Sequence, residues 1–313
     1  MTSFSPLRLI SSSGAFLATS LFSKSITMKW KGRQRSSNVQ DQRGRKGGKT
    51  VRKMGIGGII ILVIYVALGG DPQEALDQSG LGTGGDSSSQ TEYVETAQEK
   101  ELAEMVSVVL NETEDVWNMI FREELGRKYE EPILVLFSGK VSSACGNASA
   151  ATGPFYCSGD NTLYIDLSFY NELKNRFKAP GDFAMAYVVA HEVAHHVQNL
   201  QGITGKVHSQ RRNLDEISYN KLSVMLELQA DFYAGVWAHY ANSLAGIVEE
   251  GDIDEALNAA FKIGDDHIQM MGRGTVMPDS FTHGTSEQRV RWFKLGYQTG
   301  DLSQGDTFNA RNL

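Results

Sequence analysis

The stretch "VVAHEVAHHVQ", residues 188–198, sets three imidazoles and a carboxylate inside an otherwise apolar run. A titratable group surrounded by apolar side chains is costly to bury unless something binds it. His191 and His195 are four residues apart, so a helix presents both on one face, close enough to share a metal ion. Glu192 lies beside them, suited to take a proton from water. This is the H-E-x-x-H arrangement of zinc hydrolases, a short pattern whose meaning depends on its setting. Here the setting is an apolar helix, where unliganded imidazoles would be unfavourable. His196 points about 100° away from His195 around the helix and is expected to pack or hydrogen-bond rather than ligate.

A catalytic zinc takes three protein ligands and keeps one position open. The metzincin pattern would put glycine three and histidine six residues after the second histidine, but Gln198 and Gln201 stand there. The segment "LELQAD", residues 226–231, offers Glu227 as third ligand, 32 residues beyond His195, with Asp231 one helical turn on. Asp231 is suited to accept the remaining N–H of His191, a partner that zinc-bound histidines usually need. An exposed acidic pair is the plainer alternative. Against it, Leu226, Leu228, Phe232 and Ala234 mark a buried helix, and like charges four apart repel. A tetrahedral oxyanion needs a second donor besides the metal. His283, in the loop "FTHGTSEQR", is the first candidate, with capping or plain surface exposure as its alternative. His267, Tyr219 and Tyr233 follow.

The elements that must position these groups are mainly helical. Apolar spacing predicts a helix beginning near residue 92 and ending at Gly126, and the helix carrying His191 between Gly181 and Gly202. Further helices are predicted over roughly 213–245, 252–271 and 285–297. "PILVLFSG" (132–139) and "TLYIDL" (162–167) read as strands, the second turning helical after Ser168. "TLYIDL" is either a plain core strand or an edge to which an extended peptide could add. The fold class is α+β, a mainly helical domain with a small sheet.

Charge divides the chain. Residues 1–53 carry twelve Lys and Arg against one acid, Asp41, whereas the remaining 260 residues carry 18 basic and 36 acidic ones. Such different parts are expected in different surroundings. Between them "MGIGGIIILVIYVALGG", residues 54–70, holds no charge. As a helix its 17 residues reach roughly 25 Å, near the lower limit for spanning a bilayer. The abutting basic run predicts an uncleaved single-pass anchor in the inner membrane. The N-terminus is then cytoplasmic, and the catalytic domain periplasmic or extracellular. The basic stretch 29–53 suits anionic lipid headgroups, so no nucleic-acid partner is expected. Residues 1–27 read either as a transit-like leader or as an extension ahead of a second start at Met28.

The expected organisation is a basic, disordered cytoplasmic segment (1–53), a transmembrane helix (54–70), a flexible linker (71–91) and a catalytic domain (92–313). Cys145 and Cys157 are the two cysteines, twelve residues apart on the exported side, where a disulfide closing a short loop is the simplest expectation.

"HEVAHHVQ", "ELQAD", the "MKWKGR" ahead of the apolar segment and the "ACG…GPFYC" loop together resemble the neutral zinc metallopeptidase family of bacteria. The resemblance covers nearly everything from Met28 onward. H-E-x-x-H with E-x-x-x-D is also similar, more distantly, to the gluzincins. The resemblance implies a zincin-like, membrane-anchored fold, Zn2+ held by His191, His195 and Glu227, Asp231 behind His191, and Glu192 as base. The implied activity is peptide-bond hydrolysis by a zinc-activated water on peptide or protein substrates. A catalytically silent zinc-binding or adhesion module, and a zinc amidase of another substrate class, are the alternatives.

Overall fold

The computed structural model describes residues 28–44 and 93–313. In chain order these hold β1 (Val39–Asp41), α1 (Ala97–Glu123), β2 (Ile133–Phe137), a hairpin of β3 (Lys140–Ser143) and β4 (Gly146–Ser149), β5 (Phe155–Cys157) and β6 (Thr162–Asp166). The helices α2 (Phe169–Asn175), α3 (Asp182–Leu200), α4 (Ile203–Ser209), α5 (Glu216–Tyr240), α6 (Asp252–Lys262), α7 (Asp265–Arg273) and α8 (Ser286–Thr299) follow. The architecture is α+β, mainly helical with a small mixed sheet, as the periodicity predicts.

The sheet runs β1-β2-β6-β5, with β1, β2 and β6 parallel and β5 antiparallel to β6. Its two central strands are apolar on both faces because both faces are covered. Leu134, Leu136, Leu163 and Ile165 face the helical core, while Val135, Phe137 and Tyr164 form a second cluster with Cys157. "TLYIDL" is therefore an interior strand, and β5 is the edge beside it.

α3 is buried from Phe183 to Ala194. It packs against α5, where Phe183 stacks on Trp237 with ring centroids 5.7 Å apart. α5 in turn meets α8 at a close crossing made by two glycines. A Cβ at Gly235 would lie 2.1 Å from the Phe293 carbonyl oxygen, and one at Gly296 would lie 2.0 Å from that of Phe232. The helix starts are conventional: Thr96 and Thr285 form capping boxes with Glu99 and Gln288, and Asp215 caps α5. The helix expected over 252–271 breaks at Gly264, where a Cβ would meet the Ser286 amide nitrogen at 2.4 Å. The break lets α7 start on Asp265, whose Oδ2 accepts the backbone N–H groups of Thr282, His283 and Gly284.

Residues 28–44 correct the expectation that 1–53 is disordered and the domain starts at 92. Met28 and Trp30 are buried. The Lys29 amide donates to the Ile247 carbonyl at 3.0 Å, and Trp30 Nε1 donates to Asp182 at 3.2 Å. Arg33 pairs with Glu112 at 2.8 Å, and Ser36 and Asn38 both donate to Glu114. Val39 lies opposite Leu134 in the sheet. The basic side chains here match acids in or beside α1 (Lys31 with Glu101, Arg35 with Glu104, Arg43 with Glu95). The charge asymmetry is thus, for these residues, complementarity within one folded body. Strands hydrogen-bonded in one sheet also lie on one side of any membrane, so residues 28–44 and the domain do not sit on opposite faces. The expected span at 54–70 and linker at 71–91 lie outside the described residues. Among those described, no helix is long and apolar enough to cross a membrane.

Candidate metal centre

The antiparallel approach of α3 and α5 brings His191, His195 and Glu227 together. His191 Nε2 lies 3.1 Å from Glu227 Oε2, and His195 Nε2 lies 3.5 Å from Oε1. One donor atom from each residue falls within 4.8 Å of the others. Zinc bonds of about 2.0–2.1 Å in tetrahedral geometry would set neighbouring ligand atoms about 3.3 Å apart, so the three donors fit the ion. The far nitrogen of each ring is also held. His191 Nδ1 donates to Asp231 Oδ1 at 2.9 Å, and His195 Nδ1 to Gln198 Oε1 at 2.9 Å. Such partners fix ring orientation and tautomer, leaving both Nε2 atoms facing Glu227.

Behind the ligands lies a buried network. Asp231 has no solvent exposure, and Arg289, 3% exposed, reaches it through Nε at 2.8 Å and Nη2 at 3.0 Å. Tyr187 donates its hydroxyl to the same carboxylate at 2.5 Å. Burial opposes ionisation of Asp231, but Arg289 and then His191 outweigh it and hold the carboxyl at about 2. Burial likewise opposes charge on His191, and Asp231 and Glu227 override it to raise the imidazole to about 10. Glu227 is held well below the usual carboxylate range against burial, by His195 and His283. Positive charge is therefore stabilised between these carboxylates, and a divalent cation supplies the same charge while displacing protons from its ligands.

Glu192 and His283 line the same cleft, a cavity of about 500 Å³ that also takes in the three ligands. His283 Nδ1 lies 3.3 Å from Asp265 Oδ1 and 3.0 Å from Thr282 Oγ1. Burial works against its charge, but Glu227 and Asp265 raise its proton affinity. One wall of the cleft comes from the loop that Cys145 and Cys157 close as a disulfide, with Cα atoms 5.8 Å apart. Phe155 and Tyr156 of the edge strand β5 belong to that wall.

His196 is 1% exposed, with Nε2 donating to the Glu130 carbonyl at 2.6 Å and Nδ1 3.0 Å from the Tyr156 hydroxyl. It packs and bonds away from the ligand set, as its helical angle predicts. His267 lies tilted against Phe261, ring centroids 5.7 Å apart, outside the cleft lining, and Tyr233 bonds Gln201 within the core. Sequence reasoning missed Tyr187, Gln198, Asp265 and Arg289. Gln198 stood in plain view as the residue that excludes a metzincin site. The others carry no local signal, because each reaches the site through packing between distant segments.

Comparison with known proteins agrees with this geometry. The family "Putative neutral zinc metallopeptidase" matches residues 28–308, and the chain belongs to that family. Zinc is the ion the family implies, consistent with the His191, His195 and Glu227 donor set. The Escherichia coli (strain K12) uncharacterized protein YpfJ is 46% identical over 288 residues, covering 90% of this chain and 99% of that one. The Mycobacterium tuberculosis (strain H37Rv) uncharacterized protein Rv2575 is 44% identical over 195 residues, 59% of this chain and 65% of its own length. No solved structure matches.

Proposed function

We propose that the chain hydrolyses peptide bonds as a zinc-dependent metallopeptidase, with Glu192 as general base. The observation carrying this reading is a three-ligand site that shares its cleft with a carboxylate outside the ligand group. A purely structural zinc site has four protein ligands and needs no neighbouring base. Zinc held by His191, His195 and Glu227 supplies Lewis acidity, which lowers the pKa of water and polarises a carbonyl. Glu192 takes the proton of the attacking water and passes it to the leaving amine nitrogen. His283, backed by Asp265, donates from Nε2 to the carbonyl oxygen as negative charge develops there. Asp231 and Gln198 hold the two ligand imidazoles in register throughout.

The edge strand β5 supports peptide rather than small-amide substrates. An extended chain adding antiparallel to β5 gains main-chain hydrogen bonds that do not depend on sequence. The Cys145–Cys157 disulfide supports a domain working outside the cytoplasm. Residues 54–70 are the segment we assign to membrane attachment, with residues 28–44 on the catalytic side, which rules out the single crossing expected from the sequence. The direct test is cleavage of a quenched-fluorescent peptide pool before and after chelation and zinc replenishment. Chelator-sensitive, zinc-restored cleavage is expected, and His283→Gln should lower kcat about 100-fold with KM little changed. Stoichiometric zinc binding with no cleavage of any pool member would sink the reading in favour of a silent zinc module.

A further inference from the structure

The two ends of the cleft differ in chemistry. Asp231 of α5 bonds Tyr187 and His191, whereas the Leu226 carbonyl accepts from Gln198, so the two helices run antiparallel past the ligands. On the Tyr187 side the cleft is lined by Phe177, Val188, Ile263 and Ile268, with the carboxylates of Glu172 and Asp265 on the same or adjoining elements. On the far side, past His195, it is lined by Thr204, His208, Arg211 and Tyr219. There the Arg211 guanidinium lies over the Tyr219 ring, 4.6 Å from the centroid, and Tyr219 is only 4% exposed. The buried ring holds the cation against its face. No carboxylate pairs with Arg211 among the described residues, so its charge inside the cleft is left for a ligand to meet. On the same wall Thr204 is 7% exposed, and its hydroxyl has no hydrogen-bond partner among the described residues.

We propose that this end of the cleft recognises a carboxylate of the peptide substrate, with Arg211 as the residue that determines the preference. The proposal rests on the peptidase reading and adds a substrate class to it. A guanidinium already held over an aromatic ring presents its planar fork to the two oxygens of a carboxylate, and less rotamer freedom is lost on pairing. Because the opposite end carries the Glu172 and Asp265 carboxylates, an acidic group is favoured on one side of the cleaved bond and not on the other. The carboxylate comes either from an Asp or Glu side chain or from the substrate's C-terminus, and the same fork serves both.

The test uses the zinc-loaded full chain and quenched peptides differing in one residue, Asp, Ala or Lys, at each of three positions on either side of the cleaved bond. Each peptide is made as free acid and as amide. An acid on one side should raise kcat/KM about tenfold over Ala, the size of a charge-assisted hydrogen bond. Arg211→Ala should erase that ratio, and Arg211→Glu should transfer the preference to Lys. Dependence on the internal acid identifies a side-chain carboxylate as the ligand. Dependence on the free acid form identifies the C-terminus, and either result supports the proposal. Cleavage without an acid preference, or a preference that survives Arg211→Glu, overturns it and leaves the peptidase reading standing. Absence of cleavage by the unaltered chain overturns the peptidase reading and this proposal with it. Zinc content measured on each variant separates loss of the fold from loss of the contact.

Discussion

Asp231 does two jobs that a double substitution can separate. Its carboxylate orients His191 at 2.9 Å and neutralises Arg289 at 2.8 and 3.0 Å, with neither partner open to solvent. Asp231→Asn keeps the volume but leaves a buried guanidinium without a counter-charge, at a cost of about 3–5 kcal/mol in stability. It should also weaken zinc binding by about 10–100-fold, because the His191 ring loses its charged partner. Arg289→Met alone strands the carboxylate instead and destabilises by a similar amount. Combining the two removes both buried charges, so the double variant should be more stable than Asp231→Asn alone. Its zinc affinity, however, should remain as weak. The stability arm is read by urea denaturation of the zinc-free chain, and the affinity arm by competition with a chelating dye. A double variant as unstable as the sum of the singles, or one that regains zinc affinity along with stability, would refute this division of labour.

The α5–α8 crossing positions Arg289, and Gly296→Ala puts a methyl 2.0 Å from the Phe232 carbonyl oxygen. That clash is against backbone and should cost about 3 kcal/mol, roughly 10 °C in Tm, with weaker zinc binding as Arg289 shifts; unchanged melting would show the helices tolerate separation. Glu255 accepts the Phe183 amide at the start of α3, and burial, with Asp252 and Asp182 nearby, pushes its carboxyl up to about 7. Since the folded state keeps this proton after the unfolded chain has lost it, stability should fall as pH rises from about 4.5 to about 7 and level off above. Water reaching the half-buried group limits the loss to about 1–2 kcal/mol; Glu255→Gln should flatten that slope, and an unaltered slope would exclude Glu255 as its source. Ser37 and Ser243 are both exposed on the folded body. Cysteines introduced by Ser37→Cys and Ser243→Cys should therefore react with a membrane-impermeant maleimide from the same side in intact cells, and labelling of one alone would contradict the shared sheet.

The candidate ligand set was legible because its geometry is local to two helices. Four-residue spacings convert directly into shared faces, and His191, His195, Glu227 and Asp231 all obey that rule. His196 was legible as a packing residue for the same reason. What the sequence hid depends on contacts across the fold. Arg289 reaches Asp231 from 58 positions away, through a crossing that two glycines permit. β1 is three residues of mixed polarity, too short for any periodic signal, and exists because β2 offers it a parallel edge. Within the described part of the basic stretch, residues 28–44, the charge was misread because net charge names no partner: Lys31, Arg33 and Arg35 meet Glu101, Glu112 and Glu104 on α1. The break at Gly264 is likewise imposed by the approach of Ser286, not by the helix's own pattern.

The most direct test of a zinc-dependent peptidase using Glu192 is a paired measurement on the unaltered chain and Glu192→Gln: bound zinc per chain, and kcat/KM on the best-cleaved peptide. Both proteins should hold one zinc, since Glu192 lies outside the ligand group, while cleavage falls by about three orders of magnitude in the variant. Equal zinc with undiminished cleavage would contradict the role of Glu192, and loss of zinc in the variant would contradict the assignment of the ligands.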